Sequence, residues 1–323
     1  MRALVVTTHG GPEVFEVREV PDPVPGPGEV LVEVAASGIN FVDVYQRSGA
    51  YPTEPPFVPG SEGAGRVAAL GEGVDTLAVG DRVGWAMYRG SHAALAAVPA
   101  AMLVPLPAAI SDTDAAAVLL QGITAHYLTT STYAVREGDW ALVHAAAGGA
   151  GLLVTQLVNR RGGRVVATVS TAAKEELARA NGAEHVIRYT EVDDLAGAVR
   201  SATGGVGVAV AYDGVGRSTF EASLASLRPR GMLALYGAAS GPVPPFDLQR
   251  LNPAGSLFVT RPTAAHYIAD RAELEWRAGE VLDWVADGSL TVRIGGSYPL
   301  ERAAEAYRAL EGRQTTGKLL LLP

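Results

Sequence analysis

The spacing of apolar residues changes along the chain, and the change divides it. In Glu29-Val30-Leu31-Val32-Glu33-Val34 apolar and acidic positions interleave as in a half-buried strand, following a proline- and glycine-rich approach from Pro21 to Gly28. Turn signals recur at Gly60, Gly63, Gly71, Gly73 and Gly80-Asp81, so residues 1 to about 122 read as a β-rich, barrel-like unit. From about Thr124 to Val259 the period alternates instead. The apolar run Trp140 to Val143 precedes an amphipathic run, Leu152 to Val158, then a second strand from Arg164 to Val169, and the alternation continues to about Tyr236. That order predicts an α/β fold, a parallel sheet with helices on both faces. The tail carries a helix from about Arg271 to Asp287, the short run Leu290-Thr291-Val292, a helix near Glu301 to Gly312 and a closing apolar run, Lys318 to Leu322. It is expected to complete the first domain, which makes the units 1–123 together with 262–323, and 124–261.

Between the first strand and helix of the second unit lies His144-Ala145-Ala146-Ala147-Gly148-Gly149-Ala150-Gly151. A glycine-rich turn at this place lets backbone N–H groups approach a pyrophosphate, and the helix N-terminus adds partial positive charge. The spacing is Ala145-x-x-Gly148-x-x-Gly151, with alanine where the usual fingerprint opens on glycine. A turn that merely packs helix on strand is the competing reading, and the run of βα units around it favours the dinucleotide. The second strand then ends Val169-Ser170-Thr171 with no acid, which would otherwise bind a free ribose 2′-hydroxyl. Ser170 and Thr171 offer hydroxyls and Lys174 follows one turn later, so a 2′-phosphate is favoured and NADPH is the expected cofactor. Ser170 as a plain helix N-cap and Lys174 as a solvated helix residue are the bland alternatives. Lysine occurs only at Lys174 and Lys318, which gives the first position added interest.

Composition narrows the class. The 323 residues are 48% hydrophobic and 19% charged, as in a globular protein of two domains. A net charge of −8 without a Lys/Arg cluster gives nucleic-acid binding no electrostatic support. The start, Met1 to Thr7, is interrupted by His9-Gly10-Gly11-Pro12 too soon for a signal peptide, and no apolar run is long enough for a membrane span. A cytoplasmic protein without membrane partners is expected. With no cysteine, disulfides, thiolate catalysis and thiolate-bound metals are excluded.

The chain resembles the medium-chain dehydrogenase/reductase superfamily and, within it, the zinc-free NADPH:quinone oxidoreductases related to zeta-crystallin. The resemblance runs over essentially the whole length. It rests on Gly10 to Val14 (GGPEV), Gly38 to Pro52 (GINFVDVYQRSGAYP), Pro56 to Val67 (PFVPGSEGAGRV), Gly80 to Val83 (GDRV), Gln121 to Leu128 (QGITAHYL), the glycine-rich turn, Tyr212 to Gly216 (YDGVG) and Phe258 to Pro262 (FVTRP). It implies a GroES-like β-barrel domain plus a Rossmann doubly wound parallel-sheet domain, with the active site in the cleft between them. One departure is Gly90-Ser91-His92-Ala93, where relatives commonly carry tyrosine in place of His92.

Zinc-dependent relatives hold their metal through a cysteine at the place of Asn40, a histidine at the place of Ser61, and a four-cysteine lobe. Those ligands are missing. His9, His92, His126, His144, His185 and His266 are scattered without metal-ligand spacing and read as surface or packing residues. Without a Lewis acid, alcohol oxidation loses several kcal/mol of charge stabilisation, whereas a quinone is already electrophilic.

Carried over residue by residue, the resemblance implies that Asn40 borders the nicotinamide end, where an amide can donate and accept. It implies that Tyr45 and Tyr51 line the acceptor and cofactor pocket, and that Thr124, at the start of a cross-domain helix, lies near the nicotinamide. Ala147, Gly148, Gly149, Ala150, Gly151, Ser170, Lys174, Tyr189 and Gly237 are the implied cofactor contacts. The bland readings are an Asx turn for Asn40 and aromatic packing for the tyrosines. Asp43 is ambiguous between orienting Arg47, four residues on, and acid catalysis, and the structural ion pair is the favoured reading. The β-prone run Ser256 to Thr260 is expected to pair with its symmetry mate in a homodimer. The expected activity is zinc-independent hydride transfer from NADPH to quinones. An enoyl or alkenal reductase and a non-catalytic NADPH-binding protein remain alternatives, and the physiological acceptor stays open.

Overall fold

The computed structural model describes residues 1–323 and divides into two compact units, Met1–Ile123 with Tyr267–Pro323, and Thr124–His266. The first begins with β1 (Arg2–Val6) and β2 (Phe15–Glu19), an antiparallel pair. Then come β3 (Glu29–Gly38), helix α1 (Phe41–Arg47), β4 (Glu62–Leu70), β5 (Arg82–Ala86), β6 (Leu95–Pro99), β7 (Val104–Pro105) and helix α2 (Asp112–Tyr127). Val30, Val32 and Val34 of β3 point inward, and they meet Val67, Val83, Trp85 and Val98 in one buried cluster. This is the period-two alternation of the sequence turned into a core, each buried valine contributing about 1.5–3 kcal/mol.

The second unit holds β8 (Trp140–Val143), α3 (Gly149–Arg160), β9 (Arg164–Val169), α4 (Ala172–Ala180), β10 (His185–Arg188), α5 (Leu195–Ala202), β11 (Val208–Asp213), α6 (Phe220–Ser226), β12 (Leu227–Leu235) and β13 (Phe258–Thr260). All five strand pairings are parallel, in the order β10-β9-β8-β11-β12-β13. Numbered from β8 this is 3-2-1-4-5-6, the dinucleotide-binding order, whose direction reverses between β8 and β11. β11 is buried throughout, and its run Val208 to Tyr212 has the apolar character a strand covered on both faces requires. β13 is shorter than the run Ser256 to Thr260: Ser256 takes φ +54° and Leu257 turns into the core, leaving three residues on the sheet edge.

After the short helix α7 (Ala264–Tyr267) the tail adds α8 (Arg271–Ala286), β14 (Ile294–Pro299), α9 (Ala303–Glu311) and β15 (Lys318–Leu322). β15 pairs with β14 and with β3, so the tail extends the first unit's sheet to the order β14-β15-β3-β4-β5-β7, with β6 on β3. Leu319 and Leu321 of β15 and Tyr307 of α9 share a core with Leu4 and Ile39. No helix is long and apolar enough to cross a membrane.

Candidate active site

In the second unit the turn after β8 is shaped for close approach. Ala145 adopts φ +49°, the left-handed conformation that glycine takes more cheaply, and its carbonyl accepts from Gly148 N–H at 2.9 Å. A Cβ on Gly151 would lie 2.5 Å from the Ala145 carbonyl oxygen, so no side chain fits there. Gly148 caps α3 without a side chain, so no capping group takes the first N–H groups of the helix. Across the reversal, the turns after β11 and β12 meet backbone to backbone: a Cβ on Gly237 would lie 2.4 Å from the Gly214 carbonyl oxygen.

His144 braces this edge from below. It is buried, with Nδ1 2.9 Å from Thr168 Oγ1 and Nε2 2.9 Å from Ser223 Oγ, while Ser223 donates to Asp213 at 2.8 Å. Because Ser223 gives its hydrogen to the carboxylate, it accepts from Nε2–H, which fixes the tautomer. Burial lowers the imidazole pKa, partly opposed by Asp213, and the ring stays neutral. The other Asp213 oxygen accepts from the N–H groups of Val215 and Gly216 and so shapes the turn.

At the end of β9 the helix cap is Thr171, whose hydroxyl accepts from Lys174 N–H at 3.3 Å; the reading of Ser170 as the cap is corrected. Ser170 Oγ instead lies 3.4 Å from Lys174 Nζ, so the hydroxyl and the ammonium converge. Tyr189 stands just beyond β10, exposed, its N–H bonded to the Val169 carbonyl. Thr124 lies in the last turn of α2, not at the start of a helix as expected, because α2 already begins at Asp112.

In the first unit, α1 brings aromatic groups together. Tyr45 and Tyr51 have ring centroids 5.1 Å apart, and Phe41 lies 6.2 Å from Tyr45. Tyr51 N–H donates to the Tyr45 carbonyl, which folds the loop back onto the helix. Asn40 starts this helix, Asp43 accepts its backbone N–H at 2.8 Å, and the Asn40 side chain bonds to groups outside the helix. Its Nδ2 donates to the Gly38 carbonyl at 3.1 Å and to Glu62 Oε2 at 3.0 Å, and its Oδ1 accepts from Lys318 Nζ at 2.7 Å. Lys318 Nζ is also 2.5 Å from Glu62 Oε2, and Glu62 Oε1 accepts from Leu120 N–H. Both ionic side chains are buried. A buried pair is tolerable only with its remaining capacity engaged, and here an amide and a backbone N–H supply that.

The expected link between Asp43 and Arg47 does not form. Arg47 points away, donating to both Glu311 carboxylate oxygens and to the Gly10 carbonyl. Asp43 accepts from Ser61 at 2.8 Å and from Tyr307 at 3.1 Å. Burial pushes its carboxyl up to about 6, against the hydrogen bonds of Ser61 and Asn40 and the charge of Lys318. Tyr307 also meets His92, which is fully buried and bonded through Nδ1 to Ser37 at 2.6 Å; the residue departing from its relatives is a network member in the core. Sequence reasoning missed Glu62, Lys318 and Tyr307 as partners of Asn40 and Asp43. The scarcity of lysine was the one signal that pointed to Lys318. Nowhere do three His, Cys, Asp or Glu side chains gather as metal ligands would.

Residues 26–108 match the family described as alcohol dehydrogenase GroES-like domain, and residues 149–275 the family described as zinc-binding dehydrogenase. The quinone oxidoreductase of Pseudomonas aeruginosa is 42% identical, over 98% of this chain and 97% of its own. A 2-haloacrylate reductase from a Burkholderia species is 41% identical over 99% and 98%. The crystal structure of Escherichia coli quinone oxidoreductase complexed with NADPH superposes with a TM-score of 0.96 at 40% identity, covering all of both chains. The chain belongs to the medium-chain dehydrogenase/reductase superfamily, among its quinone oxidoreductases.

Proposed function

We propose that this protein is an NADPH:quinone oxidoreductase that works without zinc. The observation that carries the reading is the tight turn of Ala145, Gly148 and Gly151 at the reversal of the parallel sheet, where Gly151 admits no Cβ against the Ala145 carbonyl and α3 starts without a side-chain cap. Likeness to quinone oxidoreductases over the whole chain supports it. Bound NADPH supplies a hydride from its nicotinamide ring. Ala147, Gly148, Gly149, Ala150 and Gly151 hold the pyrophosphate by backbone N–H groups, and Gly237 permits the neighbouring turn to pass close. Ser170 and Lys174 bind the 2′-phosphate, with the Tyr189 ring beside the adenine end. Asn40 and Thr124 serve the nicotinamide end, and Tyr45 and Tyr51 serve the acceptor. An NADPH-oxidation assay across a series of quinones tests this; failure to turn over any quinone repeatedly would overturn it.

A second reading is reduction of a conjugated carbon–carbon double bond, favoured by the 41% identity to a 2-haloacrylate reductase. Competition between a quinone and an α,β-unsaturated carbonyl separates the two. The protein is further proposed to be cytoplasmic, without nucleic-acid or membrane partners, and to form a homodimer through the edge strand within Ser256 to Thr260.

A further inference from the structure

Asn40, Lys318 and Glu62 form a cluster whose chemistry leaves no choice of amide orientation. An ammonium only donates, so the Asn40 atom 2.7 Å from Lys318 Nζ must be the oxygen. A carboxylate and a carbonyl only accept, so the atom facing Glu62 Oε2 at 3.0 Å and Gly38 O at 3.1 Å must be the NH2 group. Both amide hydrogens are thereby engaged within the protein, as is one of the two lone pairs on Oδ1. The space is closed around them: a Cβ on Gly38 would lie 2.3 Å from Glu62 Oε2 and 2.7 Å from Lys318 Cε. Asn40 retains 6% exposure, while the side chains of Lys318 and Glu62 retain 1% and 0%.

We propose that Lys318 and Glu62 are positioning residues that lock the Asn40 amide, so that Asn40 offers a bound group one acceptor lone pair and no donor. The group it recognises is therefore an O–H or N–H donor, such as a ribose hydroxyl or the nicotinamide carboxamide. It does not hold a quinone carbonyl oxygen, which needs a donor. This rests on the proposed place of Asn40 at the nicotinamide end of the cofactor, and it narrows that role to cofactor recognition. It also gives the buried pair a function that two well-packed apolar residues, often as stable in such a place, would not supply.

The charge-neutral double variant Glu62→Gln/Lys318→Met removes the lock by taking out both members of the buried ion pair together. It is compared with Asn40→Ala by fluorescence titration of NADPH, by the quinone KM and by thermal midpoint. Both variants are expected to lose about ten-fold in NADPH affinity with the quinone KM unchanged. Wild-type NADPH affinity and turnover in the double variant, with loss in Asn40→Ala, would overturn the positioning role. Unchanged NADPH affinity in Asn40→Ala would instead show that Asn40 does not border the cofactor. Titration with the 3-acetylpyridine analogue of NADPH, which lacks the carboxamide NH2, separates the two donors. An Asn40→Ala loss that vanishes with the analogue identifies the carboxamide, and one that persists identifies the ribose.

If the double variant does not fold, the wild-type protein decides. Its four asparagines allow selective 15N labelling of the side-chain amides. The Asn40 NH2 hydrogens are expected to exchange slowly without NADPH and to shift little when it binds. Rapid exchange without cofactor would overturn the lock.

Discussion

His92 Nε2 lies 2.8 Å from the Tyr307 hydroxyl, and both side chains are fully buried. Because Tyr307 donates to Asp43, it accepts from His92, and the imidazole is the Nε2–H tautomer with Nδ1 accepting from Ser37. Burial, then the charge of Lys318, lowers His92 to about 3. The unfolded chain therefore takes up the proton first as pH falls. His92 contributes stability that is complete above its ordinary value near 6.5 and is lost toward about 3. Asp43, raised to about 6, has the opposite sign: its contribution is complete below its ordinary value of 3.8 and is lost as pH rises through about 6. Between about pH 4 and 6 the two offset each other. His92→Gln should remove one side of that balance, so the variant gains on the wild type by about 3 kcal/mol between pH 6.5 and pH 4. Urea unfolding across this range measures it, and a difference that does not vary with pH would refute the assignment.

Lys174 and Ser170 converge at the end of β9, where nothing acidic repels a 2′-phosphate. A charge-assisted contact of this kind is worth about 1–3 kcal/mol. Lys174→Ala should weaken NADPH about ten-fold or more and leave NADH nearly unchanged. Equal losses with both cofactors in a binding titration would make Lys174 a residue of the fold.

Turnover should survive exhaustive chelation. Asn40 and Ser61 are committed to Lys318, Glu62 and Asp43, and no trio of ligating side chains exists to replace them. Metal analysis of active protein before and after dialysis against chelator provides the check. Stoichiometric zinc lost together with activity would contradict it.

How much was legible beforehand depended on whether a feature is local. The strands Trp140–Val143 and Arg164–Val169 stand where the apolar pattern put them, because buried parallel strands must be apolar on both faces. The glycine-rich turn was legible for a similar reason, since Gly151 admits no Cβ. Contacts between segments far apart in sequence left no such trace. Lys318 meets Glu62 and Asn40 only because β15 joins β3 beside β4, and Arg47 finds Glu311 in α9 instead of its helical neighbour Asp43. Helix spacing alone suggested the Asp43 to Arg47 pair, and tertiary packing overrode it.

The sheet edge should mediate association. β13 has a partner on one side only, and Phe258 and Val259 are 55% and 36% exposed there. An edge with exposed apolar residues and no covering segment favours pairing with its own copy about a two-fold axis. Light scattering at micromolar concentration should give a dimer, and Phe258→Glu should shift it toward monomer. A monomeric wild type would remove the edge from consideration.

Tyr45 and Tyr51 bring two aromatic rings together, 5.1 Å apart and tilted at 52°, and the face of either ring could take a flat acceptor. Stacking depends on the rings, and a single hydrogen bond to a carbonyl oxygen depends on a phenol. Tyr→Phe at either position should therefore lower catalytic efficiency only modestly, since the ring remains. Tyr→Ala should do far more, because an acceptor about 1 Å out of line loses about a hundred-fold in rate. The loss should fall on quinone turnover while NADPH affinity holds. If both alanine variants turned over quinone normally, the acceptor would bind elsewhere. If NADPH binding failed first, the tyrosines would belong to the cofactor site, and the recognition of quinone would have to come from other residues.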